Sequence, residues 1–185
     1  MKLTIGNQTY NVPHLSSGKH GSGSGELCAM EMVAFLAGES HSDRPRCTCP
    51  VIAAFTRGVN DRMNDETRNR ILIPLLWDLI GTKSTPDVEQ RRAFKFADWA
   101  IRVAAPIVLL NTEVLRAIYD ERSAARAAAG AAAWAADAAD AADADADDVW
   151  DLIPNLLHEV IAIGNHERVP AETLSERAKL LETVG

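Results

Sequence analysis

Apolar positions along the chain follow two different periods. Residues 2–12 hold two short β-prone runs on either side of Gly6-Asn7, the pattern of a small hairpin. A lone hairpin is marginal in water, so this one must pack on something else. Residues 16–25, SSGKHGSGSG, are a Gly/Ser-rich loop. Beyond it the spacing becomes helical. Cys28, Met32, Phe35 and Leu36 stand at i, i+4, i+7 and i+8, which predicts a helix from about Glu26 to Gly38 with one buried face. Residues 39–49 are polar and have no period, as expected of a loop. Thr48 and Pro50 mark the next helix start, and Val51, Ile52, Phe55 and Val59 form its apolar side. Asn64 with Asp65 and Glu66 predicts another N-cap, with acids at the positive helix end. Pro74 should kink or divide the apolar stretch Ile71–Ile80, which closes at Gly81. Thr85-Pro86 opens a helix presenting Phe94, Ala97, Ile101 and Ala105, up to Pro106. Thr112 caps a long helix running to about Asp148, and a last pair follows near 152–163 and 171–183, separated by Gly164 and Pro170.

The sum is a mainly α chain, a bundle of about six to eight helices with a small N-terminal β-hairpin. Nothing shows the strand–helix alternation of a doubly wound sheet. One helical domain over 1–185 is expected: hairpin and loop in 1–25, a helical part in 26–110, and an Ala/Asp-rich helix with the C-terminal helices in 112–185.

Composition agrees with this reading. A hydrophobic fraction of 47% is ample for a core, and 24% charged residues argue against disorder as the default. Scarce aromatics and abundant alanine favour closely packed helices. The formal charge of −7 has the wrong sign for general nucleic-acid binding, so none is expected. Basic residues prevail over 44–102 and acidic ones over 103–185. Three cysteines and no secretory signal favour a reducing, cytoplasmic setting over a disulfide scaffold. No apolar run has the roughly 18–20 residues needed to span a bilayer.

Between Ala124 and Ala146, sixteen of twenty-three residues are alanine, which predicts a helix on propensity alone. Advancing about 100° per residue, Asp137, Asp140, Asp143, Asp147, Asp148 and Asp151 fall on one side of it. That stripe is either a solvated face, a recognition surface for a partner with a basic surface, or an internal match for arginines such as Arg57, Arg62, Arg91 and Arg92. The alanine faces also suit self-association into a homo-oligomer.

A second constellation lies near the N-terminus. His20, Cys28, His41, Cys47 and Cys49 fall within thirty residues. Thiolates and imidazoles are zinc ligands, and a Cys-x-Cys pair following a histidine could contribute to a tetrahedral structural zinc site. The spacing is not that of a known finger. The competing reading makes Cys28 a buried small apolar residue and leaves His20 and His41 as loop histidines. A third reading makes Cys28 a nucleophile: a helix N-terminus lowers a thiol pKa, with His41 as base and Asp43 or Glu31 to orient it. The loop at 18–25 lacks the P-loop order, because Lys19 precedes the glycines, and reads as a connector.

The stretches Gly25-Glu26-Leu27-Cys28-Ala29-Met30-Glu31 and Ala37-Gly38-Glu39-Ser40-His41-Ser42-Asp43-Arg44-Pro45-Arg46-Cys47-Thr48-Cys49-Pro50 resemble a family of proteins from actinobacteria and their phages that has no assigned activity. The similarity continues through Asn60-Asp61-Arg62 and Phe96-Ala97-Asp98-Trp99-Ala100. The resemblance implies a bacterial or phage cytoplasmic protein and transfers no catalytic residue. The alanine-rich part resembles, more loosely, the helical repeats of immunity-type proteins.

The favoured expectation is a non-enzymatic helical binding protein with an acidic interaction face and a candidate structural zinc site. The alternative is a small enzyme, Cys28-dependent or metal-dependent.

Overall fold

Strands β1 (Lys2–Ile5) and β2 (Gln8–Asn11) pair antiparallel, Leu3 opposite Tyr10 and Ile5 opposite Gln8. Gly6 takes φ +60 in the turn, a conformation favouring glycine, and a Cβ there would stand 3.3 Å from the Ala171 side chain. Leu3, Ile5 and Tyr10 are buried, so the hairpin is an integral part of the core. The computed structural model describes residues 1–104, 149–164 and 169–181. The long helix expected over 112–148, with its alanine tract, lies outside the described residues.

The described residues are mainly helical. Six α-helices are α1 (Ala29–Leu36), α2 (Pro50–Arg62), α3 (Asp65–Leu72), α4 (Pro86–Trp99), α5 (Ile153–Ile161) and α6 (Ala171–Leu181). A 3-10 helix, Ile73–Leu79, continues α3, and a π-helical turn, Ala100–Ala104, continues α4.

Helix starts follow local chemistry. Asn64 Oδ1 accepts the Thr67 N–H at 2.9 Å, the expected N-cap, and at the expected helix start Thr85 Oγ1 accepts that of Val88 at 3.5 Å. Pro50 occupies the first turn of α2, where a missing N–H costs nothing. Its cap, however, is Cys49, which makes no side-chain cap bond; the Thr48 hydroxyl donates to Leu79 O instead. Pro74 divides the apolar stretch as expected: α3 ends at Leu72, and Pro74 sits in the first turn of the 3-10 helix.

One core joins the hairpin, all six helices and the 3-10 helix. Phe55 of α2 and Phe96 of α4 stack at its centre, with ring centroids 4.3 Å apart. The exposed side of α4 corrects the sequence reading. Phe94 is 57% exposed and Ile101 63%, while Val88, Arg92, Phe96 and Trp99 face inward. An arginine takes the inner position because carbonyls satisfy it. Arg92 Nη1 donates to Thr82 O at 2.5 Å, Nη2 to Ile161 O, and Nε to Val160 O and Ile163 O. Three of those carbonyls close the C-terminal end of α5, where the helix dipole favours a cation. Among the described residues no helix is long and apolar enough to cross a membrane.

Candidate functional site

The loop after the hairpin and the loop after α1 meet at one carboxylate. Glu31 is the third residue of α1 and is fully buried. Its Oε2 accepts the Cys28 N–H at 2.8 Å, and the Cys28 sulfur accepts the Glu31 N–H at 3.5 Å. This is a capping box with a thiol in place of the usual hydroxyl, and it starts α1 at Ala29 instead of Glu26. The same carboxylate accepts the His20 N–H at 2.7 Å on Oε1 and faces His20 Nδ1 at 2.9 Å on Oε2. His41 Nε2 lies 3.5 Å from Oε1 and 2.8 Å from the His20 carbonyl oxygen. Carboxylate and carbonyl oxygens both accept, so His20 Nδ1 and His41 Nε2 carry the hydrogens. The other nitrogen of His20 stands 3.7 Å from Glu26.

The electrostatics follow from these contacts. Burial alone would raise the Glu31 carboxyl, but the Cys28 and His20 N–H groups and the His20 ring outweigh it and hold the group below its ordinary 4.5. Burial pushes the Cys28 thiol up to about 12; the Glu31 N–H opposes that and the Glu31 charge reinforces it. Cys28 is therefore a neutral thiol at physiological pH.

Several amides of the glycine-rich loop are taken by the chain's own acceptors. Gly18 N–H donates to Asp61 Oδ1 at 2.7 Å, His20 N–H to Glu31 and Ser16 N–H to Leu27 O. Asn60 clamps both sides: its Oδ1 accepts the Ala29 N–H and its Nδ2 donates to Ser16 O. The last turns of α2 thus hold the loop and the start of α1 together.

The structure brings His20, Cys28 and His41 around Glu31 but leaves Cys47 and Cys49 apart from them. Cys47 is half-buried beside the Thr48 hydroxyl, with its N–H on Glu39 Oε1, and burial raises its thiol. Cys49 is fully buried, with its N–H on Thr82 Oγ1. All three cysteines are free. Among the described residues no three His, Cys, Asp or Glu side chains are placed to hold a metal ion, so the five-residue zinc set does not assemble. Backbone bonds to Glu39 and Thr82 fix where the two later cysteines sit. Asp43 is not a partner of His41; it lies 3.8 Å from Lys19 and 4.0 Å from Arg57, whose Nη1 donates to the Asp43 carbonyl. Of the acidic stripe, Asp151 is described and pairs with Arg70 at 2.6 Å, on an exposed surface. Asp137, Asp140, Asp143 and Asp147 lie outside the described residues.

A feature the sequence reading missed lies at the start of α2. A cleft of about 570 Å³ is lined by Arg44, Arg46, Arg57 and Lys83, with Pro45, Pro50 and Ala53 as an apolar wall and Thr48 completing it. Glu39 shapes its rim by accepting the N–H groups of Arg46 and Cys47 at 2.7 and 2.8 Å. Lys83 joins through its N–H on the Cys47 carbonyl. Burial lowers the Arg57 pKa, Asp43 opposes that, and the neighbouring Arg44 charge adds to it. The available signal was Arg44-Pro45-Arg46 placed just before a proline-led helix.

No protein-family model matches the chain, and neither a curated protein nor a solved structure matches it.

Proposed function

We propose that this chain is a non-enzymatic helical binding protein of bacterial or phage origin, in which the His20–Cys49 segment is a structural clasp. The observation that carries the reading is the bonding around Glu31. The imidazoles, the thiol and the loop amides that could have formed a reactive centre are directed at their own chain. A neutral, capped Cys28 serves helix α1 and is a poor nucleophile. Such a clasp fixes the two loops that frame the surface of the protein around α1 and α2.

The acidic helix face is the proposed contact for a basic protein partner, and it rests on the aspartate spacing in the sequence. Asp151 already pairs with Arg70 and is left unchanged in the test. Affinity capture with the wild-type chain, compared with one carrying Asp137, Asp140, Asp143 and Asp147 all changed to Asn, tests this. Basic proteins should be enriched with the wild type and lost with the variant. An unchanged set of captured proteins would remove the acidic face from the proposal.

A further inference from the structure

The geometry points to the cleft at the start of α2 as a binding site for a small phosphate-bearing organic molecule, independent of the acidic face. Arg44, Arg46, Arg57 and Lys83 converge on one concave space of about 570 Å³, within the ordinary size of a small-ligand pocket. Carboxylates stand near three of the four. Asp43 lies 4.0 Å from Arg57, Lys83 pairs with Glu89 at 2.8 Å, and Glu39 uses both its oxygens on the backbone N–H groups of Arg46 and Cys47. Among the described residues the guanidinium groups of Arg44 and Arg46 have no ion-pair partner, and both side chains are exposed. Among the described residues, the positive charge of Arg44 and Arg46 is therefore not cancelled by an ion pair.

Two further observations narrow the ligand. Helix α2, thirteen residues long, begins here without a side-chain cap, so its positive dipole end adds to the four cations. Guanidinium forks match phosphate oxygens two at a time, and an anion entering the cleft offsets the cost of holding Arg57 partly out of water. The same lining includes the apolar side chains of Pro45, Pro50 and Ala53. A lining that mixes cations with apolar carbon suits an organic phosphate better than a bare ion. A nucleic-acid strand is the weaker fit, because the protein carries a net charge of −7 and a strand would extend beyond one cleft.

The test is calorimetric titration of the full chain at low ionic strength with inorganic pyrophosphate, adenosine 5′-diphosphate and a single-stranded oligonucleotide. Saturable one-to-one binding is expected for both small phosphates, tighter for the diphosphate nucleoside. The Arg44→Gln/Arg46→Gln double variant should bind at least about tenfold more weakly, and Lys83→Gln should also weaken binding. Arg91→Gln, at an exposed arginine outside the lining of the cleft, should bind as the wild type does. Arg44 and Arg46 are both exposed, so urea unfolding should show unchanged midpoints for the double variant. Absence of pyrophosphate and nucleotide binding would overturn the inference. So would equal weakening by Arg91→Gln, or an oligonucleotide that outcompetes both small phosphates.

Discussion

Two arginine-bearing regions of this molecule put the same chemistry to opposite uses. Arg92 is fully buried and makes no ion pair among the described residues; its N–H groups end on the carbonyls of Thr82, Val160, Ile161 and Ile163. Arg44 and Arg46 are exposed residues in the lining of a cleft and make no ion pair among the described residues. The first region uses a cation to close a helix end and join α4 to α5. The second leaves its cations available to an incoming group. A guanidinium is functional or structural according to where its donors go, and charge alone does not distinguish the two.

The largest effect that could break this contrast is on stability. Arg92→Met fills part of the volume but strands the final carbonyls of α5 and Thr82 O. Charged hydrogen bonds of this kind are worth about 1.5–3 kcal/mol each, and losses at buried charges reach about 3–5 kcal/mol. Arg92→Met should therefore lower unfolding free energy by about 3–5 kcal/mol, while Arg46→Gln stays within about 0.5 kcal/mol. Urea melts of the two variants measure both. Equal losses would mean that the cleft arginines are structural too, and the distinction would fall.

Much of the architecture was legible because its signals are local. Asn64, Thr85 and Pro50 announce their helices within three residues, and Gly6-Asn7 announces its turn. The inner face of α4 was not legible, because Arg92 finds three of its four carbonyls 68 to 71 residues further along the chain. A period count assigns arginine to solvent and Phe94 to the core, and here both assignments are reversed. The candidate site was half legible. His20, Cys28 and His41 do converge, but on Glu31, whose role as a capping partner follows from a thiol at the N-cap, an uncommon choice. Cys47 and Cys49 are drawn elsewhere by Glu39 and Thr82, contacts that spacing does not encode. The cleft needs Lys83 beside Arg44 and Arg46, which depends on the whole path of α2 and α3.

A second prediction sharpens the contrast with a buried anion. Glu31 receives three N–H groups and lies beside the His41 ring, so Glu31→Gln turns an amide NH2 toward donors that need an acceptor. The expected loss is about 2–3 kcal/mol at neutral pH. The folded chain holds this carboxyl below its ordinary 4.5, so its contribution is complete above that value and fades as pH falls through the lower, folded pKa. Acid unfolding of the wild type should therefore be steeper below about pH 4.5 than that of Glu31→Gln. Parallel acid limbs for the two proteins would mean that Glu31 is not held ionised by its partners.

Among the buried positions the smallest expected effect falls on Cys28, and it bears most directly on whether the clasp is inert. Serine is the better N-cap, so Cys28→Ser keeps the bond to the Glu31 N–H, against a modest loss of apolar burial; the net change should stay within about 1 kcal/mol. Reactivity should be low for two reasons that act together. With the thiol pushed up to about 12, fewer than roughly one molecule in ten thousand carries a thiolate at neutral pH, and the sulfur is buried. Iodoacetamide labelling followed by mass spectrometry should modify Cys28 slowly in the native chain and quickly in denaturant. Half-buried Cys47 should react first among the three cysteines under native conditions. Rapid native labelling of Cys28 would show that the Glu31 cluster activates the sulfur it caps, and the enzyme reading would then displace the clasp.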